Sequence, residues 1–231
     1  MRIGFLFGGI FATFVFAWFG QTLIPKAQLG GLQPHAEDDF SDIYPIKNVG
    51  VVDRGRRVYV AEGCYYCHTQ LVRGDEDGSD IARGWGGGIK LGEGRRTVAR
   101  DYIFDDPAVL GVARLGPDLT NTGNDKRVNP AWTDDASKGK LWHSADWLYA
   151  HLYNPRATAP NSIMPAYRDL FQTRKIASER SAEALDLTGD DAPPAGSEVV
   201  PTTDARDLVA YLLSLDRTHP VDEVKQGAPA K

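Results

Sequence analysis

The sequence predicts a mainly α protein in two parts: a single N-terminal transmembrane helix, then a soluble domain of short helices joined by long loops. Three observations carry this. Residues 3–24 hold no charged side chain and are dominated by Phe, Ile, Leu, Val, Gly and Ala. Two later segments show helix start and stop signals. No alternating apolar–polar run lasts long enough to read as a strand.

The N-terminal run assigns residues 1–25 as a membrane anchor, because about 20 helical residues cross a bilayer core of roughly 30 Å. A cleaved signal peptide would have a shorter apolar core and a small-x-small exit. Here the run continues into Gln21, Thr22, Leu23, Ile24 and Pro25. A buried core helix would be expected to show a polar face, and none is visible. Arg2 flanks one end and Lys26 the other, so charge alone barely orients the helix.

Residues 26–49 read as a linker of glycines, prolines and acids without periodicity. The soluble domain is expected over residues 50–218. Asp53 is expected to cap a short helix that delivers Cys64. Residues 74–94 and 121–139 read as polar loops, with a short helix expected around Pro107, Ala108, Val109 and Leu110. Ser144 should cap a helix reaching Tyr153, stopped by Asn154-Pro155. Residues 160–165 form a loop around Met164. Residues 173–203, poor in apolar side chains, are expected to be a surface excursion. Thr203 should cap a last helix whose Leu208, Val209, Leu212 and Leu215 make one apolar face. Residues 219–231 are expected to be a disordered tail.

Composition narrows the classes. An apolar fraction of 42% is enough for a core, and a net charge of −5 without a basic cluster argues against nucleic acid. The two cysteines, Cys64 and Cys67, are too few for a disulfide scaffold.

Those cysteines lie in Cys64-Tyr65-Tyr66-Cys67-His68, the haem c attachment signature. Two thiols at this spacing add across the two vinyl groups of one porphyrin edge, and the next residue turns its imidazole to the iron. A zinc site needs four ligands, or three and an open position, and the histidines show no paired zinc spacing. A thioredoxin-like dithiol needs a βαβ setting that the pattern lacks. One haem c is therefore expected, with His68 as an axial ligand.

The sixth iron position falls to Met164, the one methionine besides Met1. Methionine is usually core filler, but Met164 sits in a polar, proline-flanked loop. A Met/His pair raises the reduction potential. The rivals are His35, His143, His151 and His219. A carbonyl at Gly116-Pro117 is a candidate acceptor for the other ring N–H of His68, against an ordinary turn. Arg156 is a candidate partner for a haem propionate, against a solvated arginine. Covalent haem is attached outside the cytoplasm, which places the domain in the periplasm and Met1 on the cytoplasmic side.

With these motifs in place, the chain resembles the monohaem, membrane-anchored cytochrome c subunit (subunit II) of cbb3-type cytochrome c oxidases. The likeness runs through the anchor, Gly63-Cys64-Tyr65-Tyr66-Cys67-His68-Thr69-Gln70, Gly84-Trp85-Gly86 and Ala99-Arg100-Asp101-Tyr102. It continues in Arg114-Leu115-Gly116-Pro117-Asp118-Leu119, His151-Leu152-Tyr153-Asn154-Pro155-Arg156, Ser162-Ile163-Met164-Pro165-Ala166-Tyr167 and Leu208-Val209-Ala210-Tyr211-Leu212. The stretch 124–139 and the glycine-rich run after Trp85 are longer than the family pattern, which bears on partner contacts.

The resemblance implies a cytochrome c-like haem domain with long loops and an electron-transfer role. The chain would be no enzyme by itself but a component of a proton-translocating oxygen reductase in the bacterial inner membrane. It implies a haem–copper catalytic membrane subunit as partner, with a further cytochrome c subunit or a soluble cytochrome c as redox partner. By carry-over, Cys64 and Cys67 bind haem, and His68 and Met164 ligate its iron. Other readings are the cytochrome c subunit of a nitric oxide reductase and a membrane-anchored haem peroxidase, which needs an open iron position. A tethered thiol oxidoreductase would carry no haem. Cytochrome c1 is disfavoured because its anchor is C-terminal.

Overall fold

The computed structural model describes residues 3–36, 43–74, 95–123 and 144–224. The expected loops at 75–94 and 124–139, the Trp85 segment, His143, the acidic part of the linker at 37–42 and the tail from 225 lie outside the described residues.

Helix α1 runs Ile3–Leu29, 27 residues of mean hydropathy 1.9 with no part buried, long and apolar enough to cross a membrane. It continues past Pro25 through a π turn at Phe19–Leu23, where the Ile24 N–H donates to the Phe19 carbonyl. The turn has a local cause. Pro25 has no N–H to give Gln21, and its ring would press on that carbonyl, so the helix widens just before it.

The chain divides into two compact units, residues 1–46 with 98–106, and residues 47–97 with 107–231. In the first, strands β1 (His35–Ala36) and β2 (Ile43–Tyr44) pair antiparallel, His35 opposite Tyr44. Asp101 organises this unit. Its carboxylate accepts from the Tyr44 hydroxyl at 2.7 Å and from the Val98 N–H at 2.7 Å. It sits in a 3-10 turn at Ala99–Tyr102, while the helix expected around Pro107 is absent and residues 107–110 are irregular. Residues 43–46, expected as linker, thus belong to a folded unit.

Among its described residues, the second unit has the helices α2 (Val51–Ala61), α3 (Ala145–Tyr153), the single turn α4 (Pro155–Thr158) and α5 (Thr203–Ser214). Helix α2 starts from Gly50, earlier than expected. Asp53 lies in its first turn and pairs with Arg57 one turn on. Ser144 caps α3, accepting from the Trp147 N–H, and Thr202 rather than Thr203 caps α5.

The core forms where α2 meets α5. A Cβ on Gly55 would lie 1.8 Å from the Asp207 carbonyl oxygen, so the two backbones approach as only glycine allows. Tyr59 packs on Tyr211 with ring centroids 5.5 Å apart, and Arg54 makes two bonds to Asp207, at 2.6 and 3.2 Å. Leu208, Val209, Leu212 and Leu215 are all buried, and Leu148, Leu152 and Tyr153 of α3 join them.

Residues 173–203 differ from the surface excursion expected. Strands β3 (Phe171–Lys175) and β4 (Ser197–Pro201) pair antiparallel, and between them the chain returns to the core. The Leu185 N–H donates to the Val199 carbonyl at 2.9 Å, and Leu185, Val199 and Val200 are buried. The buried residues run consecutively in β4 and stand only at the start of β3, so no period-2 signal arises. Structure also continues beyond 218: Val221 is buried and bridges to Val224.

Candidate functional site

The Cys64-x-x-Cys67-His68 motif is a compact turn at the end of α2. Gly63, with φ of 70°, takes the chain out of the helix into a 3-10 turn at Cys64–Tyr66. The Cys64 carbonyl accepts the N–H groups of Cys67 at 3.2 Å and His68 at 3.0 Å. Both thiols and the imidazole are therefore held on one tight turn. Cys64 is buried, Cys67 is partly exposed, and they are not bonded to each other.

The segment 110–120 clamps this turn. The Gly116 N–H donates to the Cys67 carbonyl at 2.9 Å, and the Leu119 N–H to the Thr69 carbonyl at 2.8 Å. His68 Nδ1 lies 2.8 Å from the Pro117 carbonyl oxygen. A carbonyl only accepts, so Nδ1 carries the hydrogen and Nε2 keeps its lone pair. Gly116 lies against the ring face: a Cβ there would be 2.4 Å from His68 Cε1. Behind it, Asp118 is 1% exposed and accepts from the Thr69 hydroxyl at 2.6 Å and the N–H groups of Leu71 and Thr120 at 2.9 Å. Arg114 donates to the same hydroxyl at 2.9 Å and faces the Asp118 carboxylate at 3.8 Å.

Turn and clamp form one side of a cleft of about 640 Å³. Cys64, Cys67, His68, Gly116 and Pro117 line it, with Trp147, His151, Ile163, Met164 and Tyr167 also on its walls. A smaller adjoining cavity of about 70 Å³ has His68, His151 and Met164 on its walls. The loop carrying Met164 is fixed at both ends. The Ser162 N–H donates to the Ala159 carbonyl and the Tyr167 N–H to the Leu152 carbonyl, each at 2.9 Å. Arg156 is not among the residues lining the cleft. It is exposed, and its guanidinium donates to the Ser162 carbonyl at 3.3 Å, bracing the Met164 loop.

Burial sets the electrostatics. It lowers the pKa of His68, against the Pro117 bond and the Asp118 charge, so the ring is neutral at neutral pH. Burial, and then His68, push His151 down to about 4. The Cys64 thiol is pushed up to about 12, by burial first and by Glu62. A thiolate nucleophile needs the opposite shift, so Cys64 is poorly suited to thiol–disulfide exchange.

These residues fit a haem. The walls are largely apolar, a thiol pair stands on one turn, and one imidazole has its lone pair exposed by a fixed tautomer. A thioether borders the same cleft, and glycine is required where the imidazole packs. Cys64, Cys67 and His68, expected from motif spacing, line one cleft with Met164, expected from its loop setting, and with Gly116 and Pro117, the candidate acceptor turn. The burial of the Arg114–Asp118 pair had no signal in linear sequence, whereas the stacking of Trp147 on His151 is what a four-residue spacing on one helix allows.

No curated protein matches the chain. A family model described as cytochrome c oxidase, mono-heme subunit/FixO matches residues 35–190, which hold the Cys-x-x-Cys-His turn, its clamp and the Met164 loop. With two thirds of its length matched, the chain belongs to the FixO family of mono-haem cytochrome c oxidase subunits.

Proposed function

We propose that this chain carries one haem c in the cleft, bound through Cys64 and Cys67, and passes electrons toward a haem–copper subunit that reduces dioxygen. The observation that carries the reading is the convergence of the attachment turn, a tautomer-fixed His68 and Met164 on one apolar cleft. When bound, haem supplies reversible one-electron exchange at its iron.

The chain's own residues account for the rest. His68 offers Nε2, and the bond from Nδ1–H to the Pro117 carbonyl orients the ring and makes it a stronger donor. Met164 offers a thioether, a weaker donor to ferric iron than a second imidazole, which favours a high potential. His68 and Met164 would hold the haem iron from the protein, a set suited to passing electrons, which would leave dioxygen reduction to the partner. Arg114 and Asp118 lock the clamp behind His68. Helix α1 spans the bacterial inner membrane with Met1 toward the cytoplasm, holding the domain at the periplasmic face beside the catalytic subunit. A further cytochrome c subunit or a soluble cytochrome c supplies the electrons.

Affinity purification of the tagged chain from its own membranes tests this. A haem–copper subunit is expected to co-purify, and the reduced chain in that complex should be reoxidised on exposure to oxygen. Recovery of the chain alone, with no oxygen-dependent reoxidation, would refute the role.

A further inference from the structure

The cleft presents a second histidine prepared in the same way as His68. His151 lies in the last turn of α3, its ring stacked on Trp147 with centroids 4.6 Å apart and planes 10° from parallel. Its Nδ1 is 2.6 Å from the Thr158 hydroxyl oxygen. That hydroxyl has one hydrogen, which it donates to the Pro155 carbonyl at 3.1 Å. Toward His151 the oxygen therefore accepts, and Nδ1 carries the ring hydrogen. Nε2 is left as a bare lone pair on a neutral ring bordering the cleft. A haem propionate accepts hydrogen bonds and gains nothing from a second lone pair, whereas a metal takes one directly.

His68, His151 and Met164 stand around the same small cavity. The Tyr167 N–H bond to the Leu152 carbonyl ties the Met164 loop to the residue after His151, so both candidate donors belong to one wall. We propose that His151 is a reserve iron ligand, taking the sixth position through Nε2 when Met164 vacates it. This rests on the haem reading above. The exchange breaks one sulfur–iron bond and forms one nitrogen–iron bond, with no electron transferred and no proton released, because Nε2 is already bare. Its consequence is a shift of the bound haem to a lower potential.

The test uses the full chain, haem-loaded and oxidised, in mild detergent, with electron paramagnetic resonance and visible spectra as readouts. Wild type should be low-spin with the far-red thioether–iron band. Met164→Ala should lose that band yet stay low-spin, and Met164→Ala with His151→Phe should become high-spin. If the double variant loads haem poorly, His151→Gln, whose amide can still bond Thr158, replaces His151→Phe. A high-spin Met164→Ala protein overturns the proposal and leaves the haem reading standing. A double variant that stays low-spin overturns it too, because another donor then fills the position. If Met164→Ala leaves the wild-type spectrum unchanged, the axial assignment of Met164 fails and this proposal fails with it.

Discussion

Gly116 occupies a position where one methyl group decides the placement of the His68 ring. A Cβ 2.4 Å from His68 Cε1 cannot be accommodated unless the ring moves, and the ring is tied to the Pro117 carbonyl through Nδ1. Gly116→Ala should therefore destabilise the site by about 1–3 kcal/mol, the usual range for overpacking. Covalent haem per chain, read as the ratio of Soret to protein absorbance, should fall. A variant with wild-type haem content and an unshifted spectrum would show that the clamp is looser than described. His151 supplies a pH test. Its pKa, lowered to about 4 from an ordinary value near 6.5, means the unfolded chain binds more protons than the folded one between those values. The stability held by neutral His151 is then complete above roughly pH 6.5 and lost as pH falls toward 4. The urea midpoint of wild type should drop between pH 7 and pH 5, and the drop should shrink in His151→Phe. An equal drop in both proteins would assign the pH dependence to other groups.

At the scale of elements, the contact between α2 and α5 positions the attachment turn, because α2 ends directly at Gly63 and Cys64. Gly55 allows that contact, with the Asp207 carbonyl only 1.8 Å from where a Cβ would stand. Gly55→Ala should push the helices apart and lower stability by at least about 1–3 kcal/mol. Thermal melts of the haem-loaded protein should show it, and an unchanged melting temperature would mean that the contact is dispensable. Helices α2, α3 and α5 were legible in the sequence, and the single turn α4 was not. The apolar face of α5 recurs at helical spacing, and Ser144 is followed by an amphipathic run ending at Asn154-Pro155. The β3–β4 pair was not legible. Each strand has five residues, and burial follows which side meets the core rather than alternation. The short helix expected near Pro107 failed because local propensity there is weak. The neighbouring turn at Ala99–Tyr102 forms instead around the Asp101 carboxylate.

For the whole molecule, the sequence carried the membrane helix and the Cys64-x-x-Cys67-His68 turn, because both are written in contiguous residues. A long uncharged run is a property of composition, and the attachment signature fits within five positions. What joins distant segments was hidden. Thr158 sets the tautomer of His151 across a helix break, and Asp118 reaches Thr69 and Leu71 across 49 and 47 positions. The bond from the exposed Arg156 guanidinium to the Ser162 carbonyl, which braces the Met164 loop, was hidden in the same way. Axial ligation has its own check at this scale. Met164→His should lower the reduction potential of the intact complex, since imidazole stabilises ferric iron more than thioether does. An unchanged potential would remove Met164 from the iron.

Covalent haem at Cys64 and Cys67 is tested most directly by haem staining of the chain on a denaturing gel. Denaturation strips any haem held only by His68, Met164 and the cleft, so stain at the chain's mass reports thioether bonds alone. Wild type should stain, each of Cys64→Ala and Cys67→Ala should stain weakly or not at all, and the double variant should not stain. A wild-type band without stain, or a double variant that stains like wild type, would rule out thioether attachment at Cys64 and Cys67.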